Sequence, residues 1–140
     1  MNQDIYEQVK DLAVEIVNVS AIENTKEYWV LYQELEKVCL ENEIGENNHP
    51  FQWEALGDFT TDNNAALNIY KKAIGLAEEL NLNEYVASIK LAMAERYVEL
   101  ESYEEALETA CQANKIAKKL SDLELRNEIS EFLLNESIRR

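Results

Sequence analysis

Glycine and proline are nearly missing, with three and one in 140 residues. Hairpins and tight turns draw on both, whereas helix interiors exclude both, so their scarcity argues for long helices and against a sheet. No stretch alternates apolar and polar residues with period two, so no strand is expected. The longest apolar run, Tyr28–Tyr32, is five residues, too short to cross a bilayer. Asn2, Gln3, Asp4 and Glu7 stand where a secretory signal would carry basic and apolar residues. A soluble, cytoplasmic chain is therefore expected, with no membrane association. Histidine occurs once, at His49, in a loop where it serves as a cap or surface group. Cys39 and Cys111 are far apart without CxxC spacing, which predicts two buried, reduced thiols and neither a metal site nor a disulfide. The glycines, at 45, 57 and 75, lack phosphate-loop spacing. Glu78-Glu79 and Glu104-Glu105 are adjacent pairs, which point to different parts of a helix surface and cannot flank one substrate bond. No catalytic residue, metal, cofactor or small-molecule substrate is expected, and the chain reads as a non-enzyme.

Basic residues are also few: Lys+Arg 13 against Asp+Glu 28, a net −15. The imbalance is uneven. Residues 1–60 hold 13 acids and 3 bases, or −10, while residues 61–140 hold 15 and 10, or −5. Such a field repels nucleic acid and anionic membranes and attracts basic proteins. Against this, the hydrophobic fraction of 46% supplies a real core, and the length suits one domain, 1–140.

What remains is helical periodicity. Ile5, Val9, Leu12, Ile16 and Val19 form one apolar stripe over about 3–19. Asn24 with Glu27 reads as a capping box opening a helix to about Glu43, with Tyr28, Leu31, Tyr32, Leu35, Val38 and Cys39 inward. The loop Gly45–Asn48 follows, and Pro50 at a first helical position opens a short helix to about Phe59. Further helices are expected at about 63–80, 84–100, 102–120 and from Ser121 onward, the last two opened by Ser102 with Glu105 and Ser121 with Glu124. That makes about seven. Trp29 and Trp53 lie at core spacing. Gly75, inside a helix, is read as a point of close helix approach.

One pattern is written twice at a spacing of 40 residues. Ala66, Ala73, Leu76, Ala77 and Leu80 map onto Ala106, Ala113, Ile116, Ala117 and Leu120, and Ile89 and Met93 onto Ile129 and Leu133. A fixed period in this range marks stacked supersecondary units that bury their apolar faces only against each other. Trp53, Leu56, Gly57, Ala66, Tyr70 and Ala73, then Met93, Ala94, Tyr97, Tyr103, Ala106, Ala110 and Ala113, resemble the tetratricopeptide repeat (TPR) family, in its longer-repeat form. Thr60 departs from the family's Tyr, and Thr60 to Ala66 is three residues shorter than Tyr97 to Ala106. The resemblance covers about residues 50–138 and implies an all-α, right-handed stack of antiparallel helix pairs. Residues 1–44 fall outside the repeat and read as a helical hairpin capping its open end.

In that family the first helix of each pair lines a concave groove. The resemblance carries the groove onto Phe51, Glu54 and Asp58, then Ser88, Leu91, Glu95, Val98 and Glu99, then Glu131 and Asn135. Arg96 and Lys90 are expected to pair with Glu99 or Glu95 along their helix. The basic clamp that captures a peptide carboxylate is absent. Small, acidic chains of this type are similar to immunity proteins that neutralise basic, nuclease-type toxin domains of contact-dependent or polymorphic systems. Peptide-binding TPR regulators or adaptors and cytoplasmic chaperones of secreted proteins are the alternatives. Each is a protein-binding module.

Overall fold

The computed structural model describes residues 2–139, and within them the chain forms seven α-helices and no strand. These are α1 Gln3–Ala21, α2 Thr25–Glu41, α3 Pro50–Phe59, α4 Asn63–Glu79, α5 Asn83–Glu99, α6 Tyr103–Ala117 and α7 Leu123–Arg139. No helix among them is long and apolar enough to cross a membrane.

Side-chain caps set most of the starts. Asn2, Asn24, His49 and Asp62 accept from Ile5, Glu27, Phe51 and Ala65 N–H groups, satisfying donors that have no intrahelical partner. Two expected caps differ. Ser102 makes no side-chain cap, and its backbone N–H is committed to Tyr97 O. At α7 the capping oxygen belongs to Asp122, which accepts from Leu125 N–H at 3.0 Å, and not to Ser121.

Three helices end alike. Glu23, Asn81 and Glu101 adopt φ of 56°, 57° and 58°. At each, the N–H of that residue and of the next bond back to carbonyls near the helix end, as Asn81 to Glu78 and Leu82 to Ala77. This is the Schellman closure, reached here without glycine.

Each helix packs on the one before it, and α3 also touches α1 and α5. One core cluster runs from Val9, Leu12 and Ile16 through Leu35, Trp53 and Tyr70 to Ile89 and Met93. A second holds Ala87 and Leu91 against Ala113, Ala117, Leu125 and Ile129. α5 feeds both, so it is apolar on two sides. The α6 contribution is Ala106, Ala110, Ala113 and Ala117, all fully buried; a stripe of methyl groups lets neighbouring backbones approach closely.

Several sequence expectations are corrected. Trp29 is 49% exposed rather than packed inside, and Cys111 is exposed, because both fall on the outer faces of their helices. Cys39 is buried as expected, donates to Gln52 O at 3.3 Å, and is pushed up to about 12 by burial. Gly75 has open space around it, so it mediates no close approach. That role belongs to Gly57, where an added Cβ would lie 2.6 Å from Tyr70 Cε1. Thr60, at the position where the TPR pattern carries Tyr, is buried; it donates to Leu56 O and shares a 2.7 Å hydrogen bond with Tyr32 Oη.

Candidate functional site

Three helices that are not neighbours in sequence present carboxylates to one another. On α3, Glu54 and Asp58 are one turn apart and share a face. Ser88 on α5 donates from Oγ to Glu54 Oε2 at 2.7 Å. Tyr70 on α4 donates from Oη to Asp58 Oδ1 at 2.5 Å. Glu95 and Glu99 continue the α5 face.

Two open clefts run along this surface. The first, of about 630 Å³, has Asp58, Tyr70, Glu95, Arg96 and Glu99 in its walls. The second, of about 350 Å³, is walled by Glu54, Glu84, Ser88, Asp122, Glu124 and Glu128. They lie along the same two helices, with Asp58 and Glu95 in the walls of the first and Glu54 and Ser88 in those of the second. Burial raises the Glu54 carboxyl to about 7; the Ser88 hydrogen bond pulls it down and Asp58 pushes it further up. Asp58 is raised by the walls that crowd it, with Tyr70 and Arg96 opposing. Glu95, an exposed residue of α5, is raised first by partial burial and then by Asp58 on α3, Glu128 on α7 and Glu99 on its own helix. Carboxylates from α3, α5 and α7 thus feel one another across the cleft.

The one cation in these walls is already engaged. Arg96 Nη2 donates to Gly57 O at 3.1 Å and Asp58 O at 3.3 Å, and Nη1 to Asn63 Oδ1 at 3.1 Å. The expected pairing of Arg96 with Glu99 or Glu95 is therefore replaced by a clamp between α5 and the α3–α4 turn. Lys90 likewise points elsewhere, donating to Gln112 on α6 at 2.8 Å.

Of the residues named from sequence, Glu54, Asp58, Glu95 and Glu99 line the clefts and Ser88 orients Glu54. Phe51 is half-buried, with its ring 4.9 Å from that of Tyr6, so α1 covers it. Val98 is half-buried. Leu91 is corrected: it is 5% exposed and belongs to the second core cluster, because α5 is apolar on that side too. Glu131 and Asn135 are exposed on α7 but stand outside both cleft walls. The α7 carboxylates that do close the surface are Glu124 and Glu128, and the 40-residue register contains them, as Glu84 and Ser88 shifted by one period.

Among the described residues, no three His, Cys, Asp or Glu side chains converge closely enough to hold a metal ion. The carboxylates are spread over the surface, which suits long-range attraction of an extended positive surface. No protein-family profile matches the chain, and no curated protein matches it significantly.

Proposed function

We propose that this chain is a non-catalytic, cytoplasmic protein-binding module, a TPR-like right-handed stack of antiparallel helix pairs (50–138) capped by the hairpin 1–44. Its acidic cleft binds a basic protein domain. The role that fits best is that of an immunity protein, neutralising a basic, nuclease-type bacterial toxin by covering the positive cleft that would hold nucleic acid.

One observation carries this reading. Eight carboxylates, Glu54, Asp58, Glu84, Glu95, Glu99, Asp122, Glu124 and Glu128, line the two clefts, and the single cation among them, Arg96, already serves backbone carbonyls. A net charge of −15 adds steering, and opposite fields of this kind speed association and set specificity.

The test is retention of a partner from source-cell lysate under rising salt, with wild type compared against a variant carrying Glu84→Lys, Glu95→Lys, Glu99→Lys and Glu128→Lys. These four side chains are exposed, so helicity is expected to survive; Asp58 is spared because Tyr70 depends on it. A single basic domain, held by wild type, lost by the variant and inhibited stoichiometrically as a nuclease, is the expected result. Retention of the same partner by the charge-reversed variant would overturn the cleft assignment.

A further inference from the structure

Of the two tryptophans, Trp53 is 3% exposed and Trp29 is 49% exposed. Trp29 is nonetheless held firmly. Its ring stands edge-on to Tyr28 and Tyr32, at centroid distances of 6.5 and 5.6 Å. Those two rings are pinned in turn: Tyr28 Oη donates to Phe59 O at 2.5 Å, and Tyr32 Oη is bonded to Thr60 Oγ1. An exposed indole on a rigid backing has already met much of the ordering cost that a contact surface otherwise meets on binding.

Beside it opens a pocket of about 580 Å³, walled by Trp29, Tyr28, Glu23, Asn24, Ser20 and Thr61. Glu23 projects from the Schellman closure of α1 at φ 56°, and among the described residues it forms no ion pair. Among the described residues, no Lys or Arg lines the pocket. Tyr28 and Thr61 are shared with the larger acidic cleft, so the pocket runs directly into the surface bearing Asp58, Glu95 and Glu99.

We propose that this pocket receives an arginine side chain from the same basic protein that fills the acidic cleft. The inference rests on the protein-binding reading and adds to it an anchoring point outside the repeat, on the N-terminal hairpin. The chemistry favours arginine. A planar guanidinium stacks flat on an indole face while its fixed fork of N–H groups reaches a carboxylate, here Glu23; an ammonium can also join an indole to a carboxylate, as Lys72 does over Trp53 and to Glu43, but as a compact, strongly hydrated charge without the stacked contact. The hydroxyls of Ser20 and Thr61 at the rim can accept further N–H donors. Tryptophan and arginine are also the residue types that most often dominate interface energetics.

Trp53 is buried, so acrylamide quenching of fluorescence reports on Trp29. The probes are an oligo-arginine and an oligo-lysine peptide of equal length, at about 0.15 M salt, where distant charges are screened beyond ~8 Å. Oligo-arginine is expected to shield Trp29 from quenching and, by calorimetry, to bind more tightly than oligo-lysine. Trp29→Leu and Glu23→Gln should each weaken it at least about fivefold. Glu108→Gln, the same charge change on the outside of α6, should alter affinity less than about twofold. Glu23→Gln keeps the test decisive if Trp29→Leu changes helix content.

Unchanged affinity in both pocket variants, with loss in Glu95→Gln/Glu99→Gln, would overturn the pocket and leave the cleft standing. Loss in the pocket variants alone would support the pocket and count against the cleft. Equal loss in Glu108→Gln would reduce the effect to bulk charge and overturn the pocket. No binding of oligo-arginine to wild type would overturn both.

Discussion

Gly57 and Gly75 both sit inside helices, and replacing each with alanine should move stability in opposite directions. By intrinsic propensity alone, either change stabilises by about 0.5–1 kcal/mol. At Gly75 nothing lies within 4 Å of the new Cβ, so Gly75→Ala should realise that gain, raising Tm by about 2–3 °C in a chain of this size. At Gly57 the Cβ meets Tyr70 at 2.6, 2.8 and 3.1 Å. Tyr70 cannot swing aside freely, being 2% exposed with its hydroxyl on Asp58 Oδ1. Overpacking costs about 1–3 kcal/mol, and a displaced ring forfeits a hydrogen bond to a charged acceptor, about 1.5–3 kcal/mol. Less the propensity gain, Gly57→Ala should destabilise by about 2–5 kcal/mol and lower Tm by roughly 6–15 °C. Thermal and urea unfolding followed by circular dichroism measure both. In a Tyr70→Leu background the Gly57→Ala penalty should shrink by at least about 1.5 kcal/mol, since the opposing ring is gone. A neutral or stabilising Gly57→Ala in the wild-type background would refute the steric reasoning, and the helix contact that positions Asp58 in the cleft with it.

Further outcomes are expected at three positions. Arg96→Met removes the clamp between α5 and the α3–α4 turn and should cost about 1.5–3 kcal/mol in urea unfolding, because two backbone carbonyls and Asn63 lose a charged donor; no loss would mean that solvent satisfies those groups equally well. Glu54 titrates at about 7 in the folded chain against 4.5 for an ordinary glutamate. Between those values the folded state keeps a proton that the unfolded state releases, so this stabilisation is complete below 4.5 and fades as pH rises through 7. Glu54→Gln still accepts from Ser88 and cannot titrate, so it should be the more stable form above neutrality by on the order of 1 kcal/mol, after allowing for solvent screening at a part-exposed site. A cation seated there needs the carboxylate, so partner affinity should rise from about pH 6 to 8 in wild type and flatten in Glu54→Gln; parallel pH profiles would exclude Glu54 from the contact. Finally, Glu101→Gly should stabilise by about 1 kcal/mol, since φ 58° at that Schellman position suits glycine. A loss would show that the Glu101 side chain contributes more than the backbone strain costs.

Much of the helical framework was legible in the residues themselves. Spacings of three and four, few glycines, and Asn24 and Pro50 at helix starts mark local events, settled within a turn or two of chain. The order α1 to α7 and the stripes Val9–Leu12–Ile16 and Ala106–Ala110–Ala113–Ala117 follow from them. Glu54, Asp58, Glu95 and Glu99, named from the TPR resemblance, lie one turn apart in pairs on α3 and α5, and they line the clefts. Glu124 and Glu128 were within reach of the 40-residue register but not carried over.

Other assignments depended on what stood opposite. Leu91 and Glu95 share a helix, yet one is core and the other cleft, because α5 is covered on two sides by different neighbours. Trp29 has the same composition cue as Trp53 but faces outward, beside Glu23 of the preceding turn and Thr61 from a turn distant in sequence. Arg96 has carboxylates within its own helix and bonds instead to carbonyls on α3. Periodicity is a property of one helix, so the sequence by itself determined the elements, their inward stripes and the sign of the charge. Which outward faces converge, which glycine is crowded and which carboxylates repel one another are distances between helices, and only the tertiary packing decided them.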